Sequence, residues 1–366
     1  MMIEPELPYE AWIVALLTLP KMGPSRLSSL LSEHDAETAW NYLCTGKQLT
    51  VDQVKSDTVA RWREAARNMS VDDHWQAIRG LGISVAELGA DGYPERLRHD
   101  IEPPHIMFGL GVPLGDGPTV GIVGTRQCSS YGQRCAFELG AELANAGVHV
   151  VSGLALGIDA AAHQGALTAT SPTRGRPIGV VGSGLDIVYP RRNAALWARV
   201  GKEGALYSET APGVQPAPWR FPARNRIIAG LSDAVVVIES HERGGSLLTV
   251  DEAQLRDVPV GAVPGPITSR AAAGTNRLLV DGATPVLGVD DIFSMIGYSP
   301  PTRIDESNDD DVRSSVLLDV LGWSPKSLEQ ICGSVTLPAA EVAAELERLV
   351  TVGIVRRSGP WHERVR

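Results

Sequence analysis

Residues 119–132 read TVGIVGTRQCSSYG. The first five form an apolar run rich in β-branched side chains, which suits a strand. Gly124 ends the run, and Ser129, Ser130 and Tyr131 lead into a helical stretch. A strand that is apolar at consecutive positions is buried on both faces. The layout recurs downstream. Residues 148–151 run into Ser152 and Gly153, and 178–181 into Gly182, Ser183 and Gly184. Residues 234–238 run into Glu239 and Ser240, and 258–263 into Pro264 and Gly265. Helical stretches separate these runs. The alternation predicts an α/β fold with a parallel sheet covered on both faces. Such sheets bind ligands at the carboxyl ends of their strands, where these Gly and Ser residues gather.

Both flanks differ from this core. Residues 8–90 read as short helices. Trp12, Ala15, Leu16 and Leu19 fit one helical face, and Leu27, Leu30 and Leu31 fit a second. The turn between them, LPKMGP at 19–24, gives the pair the layout of a helix-hairpin-helix, whose turn amides can hold a phosphate. The plainer reading is a helical hairpin in a small bundle, since Pro24 lacks an amide proton. Residues 299–311 hold two prolines, one Arg and five acidic residues, the composition of a solvated linker. Beyond it, helical stretches at 312–321, 325–331 and 338–350 precede a β-compatible tail with Arg356, Arg357, Arg364 and Arg366. That order is the layout of a winged helix. The expected division is a helical domain at 1–95, the sheet core at 96–298, the linker at 299–311 and a winged-helix-like domain at 312–366.

Composition narrows the function. The 366 residues are 43% hydrophobic and 21% charged, the mix of a folded globular chain. Aromatics are 5%, so Ala, Val, Leu and Ile must build the core. The net charge is −10, an average that hides local basic clusters. Cys44, Cys128, Cys135 and Cys332 form no C-x-x-C pair, which argues against a zinc site or a disulfide framework. Free thiols suit a reducing cytoplasm. The first ten residues, MMIEPELPYE, are acidic where a secretory signal would be basic. No apolar run of about 18 residues is present to span a membrane. A cytoplasmic protein without metal or cofactor is expected.

Four constellations carry candidate chemistry. In GIVGTRQCSSYG, Gly124 permits close backbone approach, and Arg126 with nearby hydroxyls can hold a phosphate. The string is neither a dinucleotide fingerprint nor a P-loop. In SGLALGIDAAAH, Asp159 and His163 lie one helical turn apart. They fit an acid–base pair or half a metal site, or simply an Asp favoured by the helix N-terminus with a His one turn on. In WRFPARNRIIAG, Arg220, Arg224 and Arg226 interleave with Trp219 and Phe221, and residues 212–230 contain no acid. Guanidinium groups hold phosphates and aromatic faces stack bases. RGGSLLT at 243–249 places Ser246 at a helix start suited to an anion. Glu209, Glu239 and Glu242 lie near strand ends, where carboxylates serve as caps or arginine partners as readily as acids or bases. No nucleophile with its base emerges, so the visible chemistry is binding.

Together these strings resemble the bacterial DNA-processing protein A family (DprA, also called Smf). The matching stretches are GIVGTRQCSSYG, VVSGLALGIDAAAHQGAL, GVVGSGLDIVYPRRN, RFPARNRIIAGLSDAVVVIES, RGGSLLTV and GTNRLLVDGA. They keep the family's order across roughly residues 95–290. The resemblance also covers a helical, SAM- or hairpin-like N-terminal part and a winged-helix-like C-terminal part. It implies an extended Rossmann-like core, non-sequence-specific single-stranded DNA binding, a homodimer formed through the core, and loading of the RecA recombinase during natural transformation. It implies a phosphate contact from Arg126 and base stacking on Phe221. Arg224, Asn225 and Arg226 would line or brace the same groove, with Arg220 beside them. Gly124, Ser152, Ser183, Gly184 and Ser246 would give backbone approach or hydroxyl contacts. The family usually carries a basic residue where this chain has Leu156, which implies weaker binding and a smaller salt slope. The competing enzyme reading is a nucleotide phosphoribohydrolase of the LOG type on a related fold. Its P-G-G-x-G-T-x-x-E string is not matched by Pro264-Gly265-Pro266 and the separate Gly274-Thr275. The acidic helix at 338–350 favours a protein contact over a DNA groove for the C-terminal part.

Overall fold

Consecutive apolar residues send their side chains to opposite faces of a strand, and both faces then need cover. The computed structural model describes residues 7–49, 54–300, 309–322, 325–335, 337–351 and 353–365, and shows this arrangement. The chain divides into two units, residues 1–300 and 301–366.

In the first unit nine strands form one sheet. They are β1 (Ser84–Glu87), β2 (Ile106–Gly111), β3 (Thr119–Val123), β4 (His149–Ser152), β5 (Pro177–Val180), β6 (Ala205–Ser208), β7 (Ala234–Val237), β8 (Val260–Ala262) and β9 (Thr284–Pro285). Their order is β1-β2-β6-β5-β4-β3-β7-β8-β9. From β6 to β9 neighbouring strands are parallel; β2 pairs antiparallel with β6 and β1 with β2. The chain steps outward from β3 through β4 and β5 to β6. It then returns to lay β7 on the other side of β3. The direction of winding reverses between β3 and β7, the place where open α/β sheets form a ligand crevice.

The two faces of the sheet share out alternate residues. Val120, Ile122, Val150 and Val236 meet the helices Ser130–Asn145 and Ile158–Ala166 through Ala136, Leu139, Leu143, Ala161 and Ala162. Val123, Val151, Val180, Val235 and Val237 meet Arg220–Gly230 and Leu247–Gln254 through Ile227, Ile228, Val250 and Ala253. Glycine sets the spacing of the first helix pair. A Cβ on Gly165 would lie 1.9 Å from the Phe137 carbonyl oxygen, and one on Gly140 2.3 Å from that of Ala162.

Five helices precede the sheet: Tyr9–Leu17, Pro24–Leu31, Ala36–Thr45, Ser56–Arg67 and Val71–Gly80. Ile13, Leu16, Leu27, Leu30, Leu43 and Trp62 belong to a core that also takes in Ile106 and Phe108 of β2 and Leu206 of β6. The Trp62 indole donates to the Pro20 carbonyl at 2.8 Å. Where the sequence suggested helices up to residue 90, Ser84–Glu87 is a strand paired with β2. The sheet therefore begins ahead of the boundary expected at 95. Among the described residues no helix is long and apolar enough to cross a membrane.

The second unit runs in the order helix Asp309–Leu321, strand Lys326–Ser327, helices Leu328–Cys332 and Ala339–Thr351, and strands Val355–Ser358 and Trp361–Arg364. The last strand is central in an antiparallel three-stranded sheet. Leu317, Leu321, Ile331, Val342, Leu346, Leu349 and Val355 make the core. Of the acidic stretch at 299–311, residues 301–308 lie outside the described residues. Asp309, Asp310 and Asp311 already belong to the first helix of this unit.

Candidate nucleic-acid interface

The reversal between β3 and β7 opens a cleft of ≈ 550 Å³ at the carboxyl edge of the sheet. Three backbone segments frame it: Gly124–Arg126 after β3, His241–Ser246 after β7, and the start of the 220–230 helix. Gly124 is required there. A Cβ at this position would lie 2.6 Å from Ile158 Cγ1 and 2.8 Å from the Glu239 carbonyl oxygen. The Thr125 amide donates to that same Glu239 carbonyl at 2.8 Å, tying the two loops together.

The basic and aromatic groups converge in this cleft. Phe221 is half-buried, its ring 5.4 Å from that of Tyr189 and 5.3 Å from the exposed Arg126 guanidinium. Arg224 and Asn225 line the wall one turn along the helix. Arg224 is buried, and its guanidinium rests against Gly153, where a Cβ would lie 2.4 Å from both terminal nitrogens. It donates to the Val180 carbonyl. Burial lowers its pKa to about 10, against the pull of Asp159, so it remains cationic at neutral pH. Ser246 reaches the cleft and donates to Ser240 Oγ at 2.9 Å. Leu156 lines a small adjoining cavity with Arg126, Tyr189, Phe221 and Arg224, so an apolar side chain stands among the cationic ones.

Other expected residues lie elsewhere. Ser152 is fully buried and donates to the Ile122 carbonyl at 2.6 Å. Ser183 donates to the Ile187 carbonyl at 2.9 Å. Gly184 packs under the 211–214 loop, its amide donating to the Val214 carbonyl at 3.0 Å. Arg226 turns away from the cleft to a two-oxygen ion pair with Glu209, at 2.7 and 2.8 Å. Arg220 lies beside the cleft, donating to Thr210 at 3.1 Å. Conversely, Tyr189 and His241 line the cleft. The sequence reading passed over both, although Tyr189 sits inside a quoted string, GVVGSGLDIVYPRRN.

Asp159 and His163 do not act as a pair. Asp159 Oδ2 accepts from the Gly153 and Ala155 amides at 3.1 and 3.4 Å, holding the loop after β4. Burial raises its pKa, opposed first by Arg224. His163 is wholly buried with Nε2 3.2 Å from the Ile178 carbonyl oxygen, and burial lowers its pKa to about 4. Among the described residues no group of three or more His, Cys, Asp or Glu side chains could hold a metal ion. The lowered histidine pKa has a definite sign. Between about pH 4 and 6.5 the unfolded state binds the extra proton, so stability rises with pH across that window. Melting curves should show wild type losing stability on acidification through it, and His163→Gln losing less. Equal losses would remove His163 as the cause.

Of the remaining carboxylates at the strand ends, Glu242 is exposed, and Glu239 and Glu209 are engaged. Glu239 accepts from the Ser129 amide at 2.8 Å and its hydroxyl at 2.5 Å, securing the N-terminus of the 130–145 helix. Glu209 holds Arg226; burial raises its pKa and the guanidinium opposes the rise.

The family model described as DNA recombination-mediator protein A matches residues 84–297, the sheet and all three loops of the cleft. The chain belongs to that family. DprA-type relatives extend the likeness beyond the matched core. A putative DNA processing protein DprA of Mycobacterium tuberculosis is 35% identical over 335 residues, covering 87% of this chain and 82% of the relative. DprA of Streptococcus pneumoniae is 40% identical over 205 residues, 56% of this chain and 71% of that one. The X-ray structure of the Streptococcus pneumoniae protein superposes with a TM-score of 0.62 at 29% identity, covering 78% of this chain and 96% of that chain. DNA processing protein A of Helicobacter pylori, studied for its single-stranded DNA binding mode, gives 0.51 at 28% identity over 58% of this chain and 95% of that one.

Proposed function

We propose that this chain binds single-stranded DNA without sequence preference in the cleft between β3 and β7, and serves as a recombination mediator. The observation that carries the reading is the triad of Arg126, Phe221 and Tyr189 at the cleft mouth with Arg224 in its wall. A cation and aromatic faces side by side suit a phosphate and a flanking base, and neither group reads sequence. The engaged state of Glu209, Glu239 and Asp159 supports binding over catalysis. Family membership supports the wider role: a cytoplasmic homodimer, assembled through the sheet unit, that loads RecA onto the strand during transformation.

The test is fluorescence anisotropy with labelled oligothymidylate and a duplex of equal length, at several salt concentrations. Tight single-strand binding, weak duplex binding and a steep inverse dependence on salt are expected. Equal affinity for both forms, or no binding at low salt, would overturn the assignment.

The second unit has the element order of a winged helix, and we read it as a protein-contact module. Its longest later helix carries Glu341, Glu345 and Glu347; Glu345 is buried and paired with Arg348 at 2.7 Å, and Glu347 is paired with Arg357. Deleting residues 309–366 should leave oligonucleotide affinity within about twofold. A loss of tenfold or more would make the unit part of the DNA site.

A further inference from the structure

Trp219 is a large aromatic side chain left 48% exposed at the entrance to the 220–230 helix. The Arg220 guanidinium lies 4.4 Å over its ring. The outer edge of the indole touches the turn between the first two helices: a Cβ on Gly23 would be 3.2 Å from Trp219 Cη2. That turn is held in shape by Arg26, which donates to the Lys21 carbonyl at 2.5 Å, with Lys21 itself in the left-handed region at φ 59°. Between turn and indole lies an open cavity of ≈ 430 Å³, lined by Lys21, Gly23, Pro24, Ser25, Arg26 and Trp219. Among the described residues no carboxylate lines it.

A small cavity of ≈ 20 Å³ lies between this one and the main cleft. It shares Arg224 with the cleft and shares Gly23, Pro24 and Trp219 with the outer cavity. Phe221 and Trp219 thus stand two residues apart at the start of the 220–230 helix, one in the cleft and one at the outer cavity. Each aromatic ring has a guanidinium against it, Arg126 for Phe221 and Arg220 for Trp219. Among the described residues the one carboxylate lining the intervening cavity, Glu209, is neutralised by Arg226.

We propose that Trp219, Lys21 and Arg26 form a second nucleotide subsite, in which a strand leaving the Phe221 cleft stacks a base on Trp219 and places its phosphate between the two cations. The inference rests on the cleft being the primary site and assigns the N-terminal helices a role in contacting the strand. An aromatic face accepts any base, and the cations act on the backbone, so the subsite adds affinity without adding sequence preference.

The experiment uses the full chain and two oligothymidylates: the shortest that binds, and one several times longer. Trp219→Ala should weaken the long oligonucleotide about tenfold, the cost of one lost base stack, and leave the short one unchanged. Trp219→Phe should restore most of the loss. Lys21→Ala with Arg26→Ala should lower the salt slope for the long oligonucleotide only, by about 0.7 for the one phosphate held between them. Phe221→Ala should weaken both lengths. If Trp219→Ala leaves long-strand binding intact while Phe221→Ala weakens it, the second subsite is refuted and the primary one stands. If neither variant weakens binding, both readings fall. A lowered melting temperature in Trp219→Ala with unchanged affinity at both lengths would show that the indole only packs the N-terminal helices against the sheet.

Discussion

Arg224→Ala should cost about 4 kcal/mol of stability, the range seen when one member of a buried charged set is removed, and lower the melting temperature by about 10 °C. Arg224 sits inside the fold, donating to the Val180 carbonyl and filling the space that Gly153 leaves for want of a Cβ. Its charge offsets part of the burial cost of Asp159, whose carboxylate also fixes the Gly153 and Ala155 amides. Truncation leaves a cavity and strands that carboxylate without its nearest compensating charge. The remedy identifies the cause. Asp159→Asn on the Arg224→Ala background keeps an oxygen for the two amides and removes the charge, so it should recover several degrees. A single variant that melts with wild type would show the two groups to be uncoupled. If the double variant melts no higher than the single, the cost lies in the cavity and the lost hydrogen bond rather than in Asp159. Lost DNA binding in Arg224→Ala therefore mixes stability with contact, and Arg126, exposed at the cleft mouth, gives the cleaner probe of phosphate binding.

The sheet was legible because its central strands are apolar at consecutive positions and run into loops of small residues. β3, β4, β5 and β8 lead into glycine, and β7 into Glu239 and Ser240. β6, with the sequence ALYS, and the edge strand β1 carry no such signature; β2, IMFGLG, is apolar and ends in glycine but pairs antiparallel, which that signature does not reveal. β1 is exposed at Ser84 and buried at Ala86, and the run of four residues is too short for alternation to show. The site was legible as a segment but not as a geometry. Arg220, Arg224 and Arg226 form one basic cluster in sequence, whereas residues two apart on a helix do not face the same way. Phe221, Arg224, Asn225 and Ile228 follow the i, i+3, i+4, i+7 rule and share the cleft wall. Arg226 falls on another side, where Glu209 awaits it. Helical spacing applied to this segment would have separated them. Ser152 and Ser183 show the opposite difficulty. A serine at the end of a buried strand can satisfy its hydroxyl on a nearby carbonyl, and only the fold reveals that both do.

Phe221→Ala should raise the dissociation constant for oligothymidylate about 30-fold, equivalent to about 2 kcal/mol and within the range for one base stacked on an aromatic ring. The factor should be nearly the same for oligodeoxyadenylate, since stacking is tolerant of the base. Phe221 is only half-buried and its ring partners are Tyr189 and Arg126 at the cleft mouth, so the variant should fold. Arg126→Ala should act differently. It should weaken every oligonucleotide and reduce the magnitude of the slope of log affinity against log salt by about 0.7, one phosphate contact on a single strand. Phe221→Ala should leave that slope unchanged, because the phenyl ring carries no charge and displaces no counterion. The pair of variants thus divides the binding free energy into a salt-independent stacking part and a salt-dependent phosphate part. Wild-type affinity in Phe221→Ala would remove the ring from the site. An unchanged slope in Arg126→Ala would assign the phosphate to another cation, with Arg224 next along the same wall.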